Sequence, residues 1–220
     1  MSFVLFGNAN WTSPYVLSCF VTLRTKQLPF EVKSISLHDG AQHEPGFARQ
    51  SLTSRVPVLI GDDVVLSESS AIVEFLEEAY PAPAHASVLP ADLRDRARAR
   101  QVMAWVRSDL VALREERSTE YVFYAHADLD PLPALSPAGI KAVKKLVAIA
   151  EQLVPSDSTS LFGAWSIADT ELAMMLQRLV KTGLELAPRI RAYADAQWER
   201  AAVKEFCAHV RPPFRRGPYP

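Results

Sequence analysis

Three short groups in this chain combine residue types and spacing that chemistry can use: Thr12-Ser13-Pro14, Arg55-Val56-Pro57 and Ser67-Glu68-Ser69. Ser13 stands just before a proline and an apolar stripe of helical spacing, Val16, Leu17, Phe20 and Leu23, which places its hydroxyl at the positive end of a helix. A hydroxyl there can cap amides or donate to an anion. Pro57 heads a strand-like run and cannot donate to a ladder, and a cis bond before it would turn the backbone of Val56 outward as a free donor and acceptor. Ser67-Glu68-Ser69 opens another apolar-periodic stretch, where hydroxyl and carboxylate groups cap amides and free N–H groups hold anions. An extended peptide-like ligand could be gripped by its backbone and by both of its ends.

These groups need elements to hold them. Phe3-Val4-Leu5-Phe6, ended by Gly7-Asn8, is a continuous apolar run that fits a central strand buried on both faces. The helix from Ser13 is closed by Leu28-Pro29-Phe30, and Phe30, Val32 and Ile35 alternate as a second strand, which implies a parallel crossover. After the polar loop His38–Pro45, Phe47 and Leu52 indicate a short helix. The runs Val56–Ile60 and Val64–Leu66, joined through Gly61-Asp62-Asp63, form a hairpin, which feeds a helix whose stripe is Ala71, Ile72, Phe75, Leu76 and Tyr80. The order is βαβαββα.

Pro81-Ala82-Pro83-Ala84-His85-Ala86 is too extended in preference to continue the helix and marks a linker. Beyond it no strand alternation persists. Ala99, Val102, Met103, Val106, Leu110 and Leu113 recur at helical spacing, as do Ile140, Val143, Leu146, Val147, Ala150 and Leu153, so the second part is an all-α bundle. Ser166-Ile167-Ala168-Asp169 is a capping box, and Asp169 is expected to serve folding rather than chemistry. The boundaries expected are 1–80 for the first domain, 81–90 for the linker and 91–211 for the second, with a proline- and arginine-rich tail at 212–220 lying loosely on the surface.

Composition bounds the function classes. The 220 residues are 49% hydrophobic and 22% charged with a formal net charge of −1, an ordinary globular balance without the basic footprint that nucleic acid or an anionic membrane requires. Cys19 and Cys207 form no CxxC pair and no Cys/His cluster of zinc spacing, so no metal and a reduced setting are expected. The start Met1–Gly7 lacks a basic n-region and a signal core, and a cytoplasmic protein is the expectation.

Val56-Pro57 followed by Glu68-Ser69 at a helix start resembles the marker of the glutathione-binding half of the glutathione S-transferase family. The resemblance runs from Phe3 to about Phe206. The wording of Ser13–Ser18, Leu66–Ile72 and Arg107-Ser108-Asp109-Leu110 is similar to the bacterial YfcF type, among the serine-using, theta- or zeta-like branches. It implies a thioredoxin-like α/β N-terminal domain joined to the helix bundle, the glutathione S-transferase fold, with glutathione as substrate and a homodimer as the assembly. Free thiols titrate near ~8.5, so only a small fraction of glutathione is thiolate at neutral pH, and stabilising that thiolate is the catalytic task.

On this resemblance Ser13 is the catalytic group, with Thr12 as the nearest substitute and Asn8 as a remoter one. The backbone of Val56, preceding Pro57, would pair with the cysteine unit, Glu68 and Ser69 would take the γ-glutamyl end, and Arg55 and His43 would reach the glycine end. The loop match is inexact, because Ala41 intervenes after Gly40 and Arg55 replaces a more usual lysine. Trp105, Tyr121 and Trp165 are candidates for a second-substrate wall in a cleft between the domains. The absence of cysteine at the helix start argues against disulfide exchange. The activity implied is conjugation of the glutathione thiolate to electrophiles, with reduction of organic hydroperoxides beside it. A glutathione-dependent isomerase or dehalogenase and a non-catalytic binding protein are the alternatives.

Overall fold

The computed structural model describes residues 2–61, 63–129 and 131–215. Asp62 of the expected hairpin turn and residues 216–220 of the expected tail lie outside them. The chain divides into two compact units, one of residues 1–88 with 205–220, the other of 89–204.

In the first unit, β1 (Phe3–Asn8), α1 (Pro14–Thr25), β2 (Phe30–Ile35), α2 (Pro45–Ala48), β3 (Val58–Ile60), β4 (Val65–Ser67) and α3 (Ser69–Ala79) follow in the expected order. The four-stranded sheet runs β2-β1-β3-β4. β1 is central because its run Phe3–Phe6 is apolar, whereas β2, with exposed Glu31, Lys33 and Ser34, can only be an edge. β1 pairs parallel with β2, β3 pairs antiparallel with β1, and β4 with β3. Val16, Leu17, Phe20 and Leu23 of α1 are all buried against this sheet, as their spacing requires.

Two local readings shift. Leu52 is not helical but 86% exposed, since α2 already ends at Ala48. The buried stripe of α3 is Ile72, Val73, Leu76 and Glu77, with Ala71 on the exposed side. Glu77 is drawn inward by Lys26, whose ammonium, itself fully buried, meets Glu77 Oε2 at 2.7 Å and donates to the carbonyls of Tyr80 and Ala86 at 3.0 and 3.1 Å. A charge partner outweighs hydropathy at that position.

The second unit contains α4 (Leu93–Ser108), α5 (Val111–Glu116), α6 (Glu120–Phe123), α7 (Pro137–Leu153), α8 (Ile167–Lys181) and α9 (Pro188–Trp198), with the start of α10 (Ala201–Ala208). The apolar series from Ala99 to Leu113 is buried throughout but is not one helix. Leu110 adopts φ 60°, which breaks the α4 hydrogen bonding and restarts the chain as α5. Of the α7 series, Leu146 and Ala150 are buried and Ile140 is 44% exposed. α8 is buried along most of its length. Its capping box is formed: Asp169 accepts from Ser166 N–H and Leu161 N–H, both at 2.8 Å, and from the Tyr193 hydroxyl at 3.0 Å. Burial pushes the Asp169 carboxyl up, and these bonds work against it.

The segment after α10 is held to the first unit. Trp11 stacks on His209 with ring centroids 3.6 Å apart and meets Phe206 edge-on, and Arg211 donates to the Trp11 carbonyl at 3.3 Å. Arg215 donates to Asp39 Oδ1 at 2.7 Å. The Trp11, His209 and Arg211 contacts thus anchor the segment just before the expected tail, and within the tail Arg215 reaches Asp39.

Candidate functional site

Sheet direction gathers the candidate residues. The register Phe6↔Val58 and Val58↔Ser67 means that the chain enters β3 on the same sheet edge at which β1 and β4 end. β2 also ends there, because Asn8 lies opposite Ile35. The loop from Asn8 to Ser13, the Val56-Pro57 turn, the Glu68-Ser69 helix start and the loop carrying His43 thus share one edge. Ligands in open α/β folds bind beyond such carboxyl ends.

Ser13 is the N-cap of α1, with φ −74° and ψ 119°, and its Oγ accepts from Val16 N–H at 3.3 Å. It is half-buried. Because the hydroxyl is an acceptor within the helix, its own proton is left to donate outward, at the end of a 12-residue helix where an anion is favoured. Behind it, Asn8 and Thr12 are buried and bonded to each other at 3.0 Å, and Asn8 Oδ1 accepts from Ser13 N–H at 3.2 Å. Ser13 is therefore the one of the three nearest solvent.

The Val56–Pro57 bond is cis, and Val56 is half-buried. The loop before it is tied off by Ser51, whose Oγ accepts from Arg55 N–H at 3.0 Å and donates to the Arg55 carbonyl at 2.9 Å, leaving the Arg55 side chain exposed. Glu68 is the N-cap of α3 at φ 71°, a conformation uncommon outside glycine and asparagine. Its carboxylate does not cap the helix, contrary to the sequence-based expectation. At that backbone angle it points instead to the Thr53 hydroxyl, which donates to Oε1 at 3.3 Å. Ser67 Oγ likewise accepts from Leu52 N–H at 3.0 Å rather than from the helix. Ser69 is buried, and its carbonyl lies 3.9 Å from the Cys19 thiol, so the start of α3 packs beside the second turn of α1. Thr53, which orients the carboxylate, has no signal in the sequence because the contact spans a loop. His43 is exposed in a single 3-10 turn, Ala41–His43.

The three aromatic candidates belong to the second unit, in separate surroundings. Trp105 on α4 donates its indole N–H to Asp109 at 3.1 Å, and the Lys145 hydrogen bond to Asp109 holds that carboxyl below the usual range. Tyr121 packs edge-on against His126. Trp165 lies under the Arg200 guanidinium at 4.1 Å and donates to Thr170 at 3.3 Å. Among the described residues, no group of three or more His, Cys, Asp or Glu could hold a metal ion.

A hydroxyl at one helix start, a cis-proline turn and an acidic residue at a second helix start thus share one edge of a four-stranded α/β unit, and an all-α unit follows it in the chain. Sequence families agree. The glutathione S-transferase N-terminal domain model matches residues 12–79 and the C-terminal domain model matches 92–211. The chain belongs to the glutathione S-transferase family. It is similar to a probable maleylacetoacetate isomerase of Vibrio cholerae, 38% identical over 85 residues, which are 38% of this chain and 39% of that protein. The match thus spans about two-fifths of that relative's length. Over most of both chains it is similar to a glutathione transferase homolog from Burkholderia with bound glutathione, at 39% identity, TM-score 0.78, covering 94% of this chain and 96% of the other. A bacterial maleyl pyruvate isomerase of the zeta class is also similar, at 25% identity and TM-score 0.70, with coverage of 94% and 96%.

Proposed function

We propose that the protein is a glutathione-dependent enzyme in which Ser13 donates a hydrogen bond to the glutathione thiolate. The observation that carries this reading is the Ser13 hydroxyl itself: it accepts from Val16 N–H, keeps its proton for a ligand, and shares a sheet edge with Val56-Pro57 and Glu68-Ser69. The similar Burkholderia structure with bound glutathione supports the same ligand. The Val56 backbone pairs with the cysteine unit in front of Pro57. Glu68, steadied by Thr53, takes the γ-glutamyl ammonium, and the first amides of α3 at Ser69 face its carboxylate. Arg55 and His43, both exposed, serve the glycine carboxylate.

Once formed, the thiolate attacks an electrophilic carbon, making a C–S bond as the leaving group departs with its electron pair. With an organic hydroperoxide it attacks the outer oxygen instead, forming an S–O bond as the O–O bond breaks and the alkoxide leaves as the alcohol, and a second glutathione then attacks that sulfenic sulfur to give the disulfide and water. We assign Trp105, Tyr121 and Trp165 to the second substrate, a homodimer as the assembly and the cytoplasm as the compartment. A second reading is favoured by the isomerases among the similar proteins. There the thiolate adds to a cis double bond, the carbon–carbon bond rotates, and the thiolate leaves unchanged.

Calorimetry with glutathione, then turnover of an aryl halide, cumene hydroperoxide and maleylpyruvate, tests and separates these readings. Ser13→Ala is expected to leave glutathione affinity nearly intact and to raise the midpoint of the bound thiol by about one pH unit, since it deletes a donor acting chiefly on the anion. Absence of glutathione binding would overturn every catalytic reading.

A further inference from the structure

Asn8 ends β1 at 4% exposure, and both halves of its carboxamide are spent on the loop that carries Ser13. A backbone N–H can only donate, so the oxygen must face Ser13 N–H, and the amide nitrogen is left to donate to Thr12 Oγ1. Thr12 is 2% exposed, which leaves its hydroxyl turned inward to Asn8. Between them the loop passes through Trp11 at φ 50°, an unfavourable conformation for a bulky side chain that surrounding contacts must hold. Asn8 thus spans the loop from behind. It fixes the amide of the N-cap residue, and with it the direction in which the Ser13 hydroxyl leaves the helix end.

We propose that Asn8 is a positioning residue for the thiolate, acting through the Ser13 amide and the Thr12 hydroxyl without touching sulfur. This rests on the reading of Ser13 as the thiolate's donor. A helix N-cap with its side chain already bonded to Val16 N–H still rotates with its backbone, and a hydrogen bond to an anion loses most of its value when misaligned. Removing Asn8 should therefore act on the thiolate more than on the bound peptide. Aspartate would set a buried carboxylate near the thiolate and raise the thiol midpoint by like-charge repulsion, so glutamine is the conservative replacement. It keeps a carboxamide oxygen for Ser13 N–H and an amide nitrogen for Thr12 Oγ1. Leucine and serine do neither, the first for want of polar atoms and the second for want of reach.

The test uses Asn8→Leu, Asn8→Ser and Asn8→Gln in the full chain, with glutathione binding by calorimetry, pH titration of the bound thiol by thiolate absorbance, and thermal melting as a check of folding. The expectation for Asn8→Leu and Asn8→Ser is glutathione affinity within about threefold of the parent and a thiol midpoint raised by about one pH unit, tenfold less thiolate at neutral pH. Asn8→Gln should bring the midpoint back toward that of the parent. Combining Asn8→Leu with Ser13→Ala should shift it no further than Ser13→Ala alone, because both act through one donor. A folded Asn8→Leu or Asn8→Ser variant that titrates like the parent, while Ser13→Ala does not, would overturn this proposal alone. If Asn8→Leu fails to fold, Asn8→Ser decides by the same criterion. An unshifted Ser13→Ala would overturn the underlying reading and this proposal with it.

Discussion

On the function proposed above, Ser13 and Glu68 would divide the work of one ligand between anion and cation recognition. Ser13 offers a single donor at a helix end, which would discriminate between thiol and thiolate and contribute little to holding the peptide. Glu68 offers a carboxylate held by Thr53 at 3.3 Å and exposed to solvent, suited to an ammonium that is charged whatever the thiol does. Glu68→Ala should therefore weaken glutathione binding about tenfold or more, the loss of a charge-assisted hydrogen bond on the order of 1.5–3 kcal/mol, with the bound thiol's titration unmoved. Calorimetry beside the thiolate titration separates the two effects. If Glu68→Ala left affinity unchanged, the γ-glutamyl end would have to sit elsewhere. Thr53→Val should reproduce part of the same loss.

Among the elements, two clasps hold ends that no periodicity reveals. Lys26 at the end of α1 reaches Glu77 of α3 and the carbonyls of Tyr80 and Ala86, and Glu77 Oε2 also accepts from Val88 N–H at 3.0 Å. Lys26→Met would leave a buried carboxylate and two carbonyls short of a donor, and a loss of about 3–5 kcal/mol is expected, read from urea unfolding. Lys26→Met combined with Glu77→Leu should recover much of it, since the uncompensated charge is then gone. In the second unit, Glu116 at the end of α5 accepts from the amide and hydroxyl of Ser136, the N-cap of α7, at 2.7 and 2.6 Å. Gly139 makes room, for a Cβ there would come within 2.7 Å of Glu116 Oε1. The Ser136 hydroxyl, then its amide, hold the Glu116 carboxyl below its usual range. A depressed folded pKa means that the stabilisation is complete above the usual glutamate range and is lost as pH falls through the depressed value. Glu116→Ala should thus be less stable than the parent at neutral pH, and the difference should close on acidification. A difference constant with pH would refute the assignment.

At the scale of the whole molecule, the chain leaves the first unit at Val88 and returns to it at Glu205, so that unit is closed by both ends of the sequence. Its edge strand β4 leaves Val65 52% exposed, and the neighbouring loop leaves Leu52 86% exposed. Apolar groups on a sheet edge are the usual material of a self-complementary contact. Light scattering is expected to give twice the 24.4 kDa chain mass at micromolar concentration, and Leu52→Arg to shift the population toward single chains. A species of 24.4 kDa for the parent protein would reject the dimer.

Much of this architecture was legible in the sequence because it rests on local physics. The apolar run of β1, the Ser13-Pro14 helix start, the Val-Pro turn and the Ser166–Asp169 capping box are short-range patterns, and each forms where its residues predict. Ser13, Val56 and Glu68 could be singled out for the same reason. The orientation of the Glu68 carboxylate toward Thr53, the inward turn of Glu77 and the break at Leu110 could not, since each depends on a partner or a backbone angle set by packing. Nor could the anchoring of Arg211 and His209 on Trp11, about two hundred residues away in the chain. Sequence periodicity reports which face of an element is apolar. Which polar groups then meet across loops is decided only when the sheet and helices close on one another, and that is where Asn8, Thr12 and Ser13 acquire their geometry.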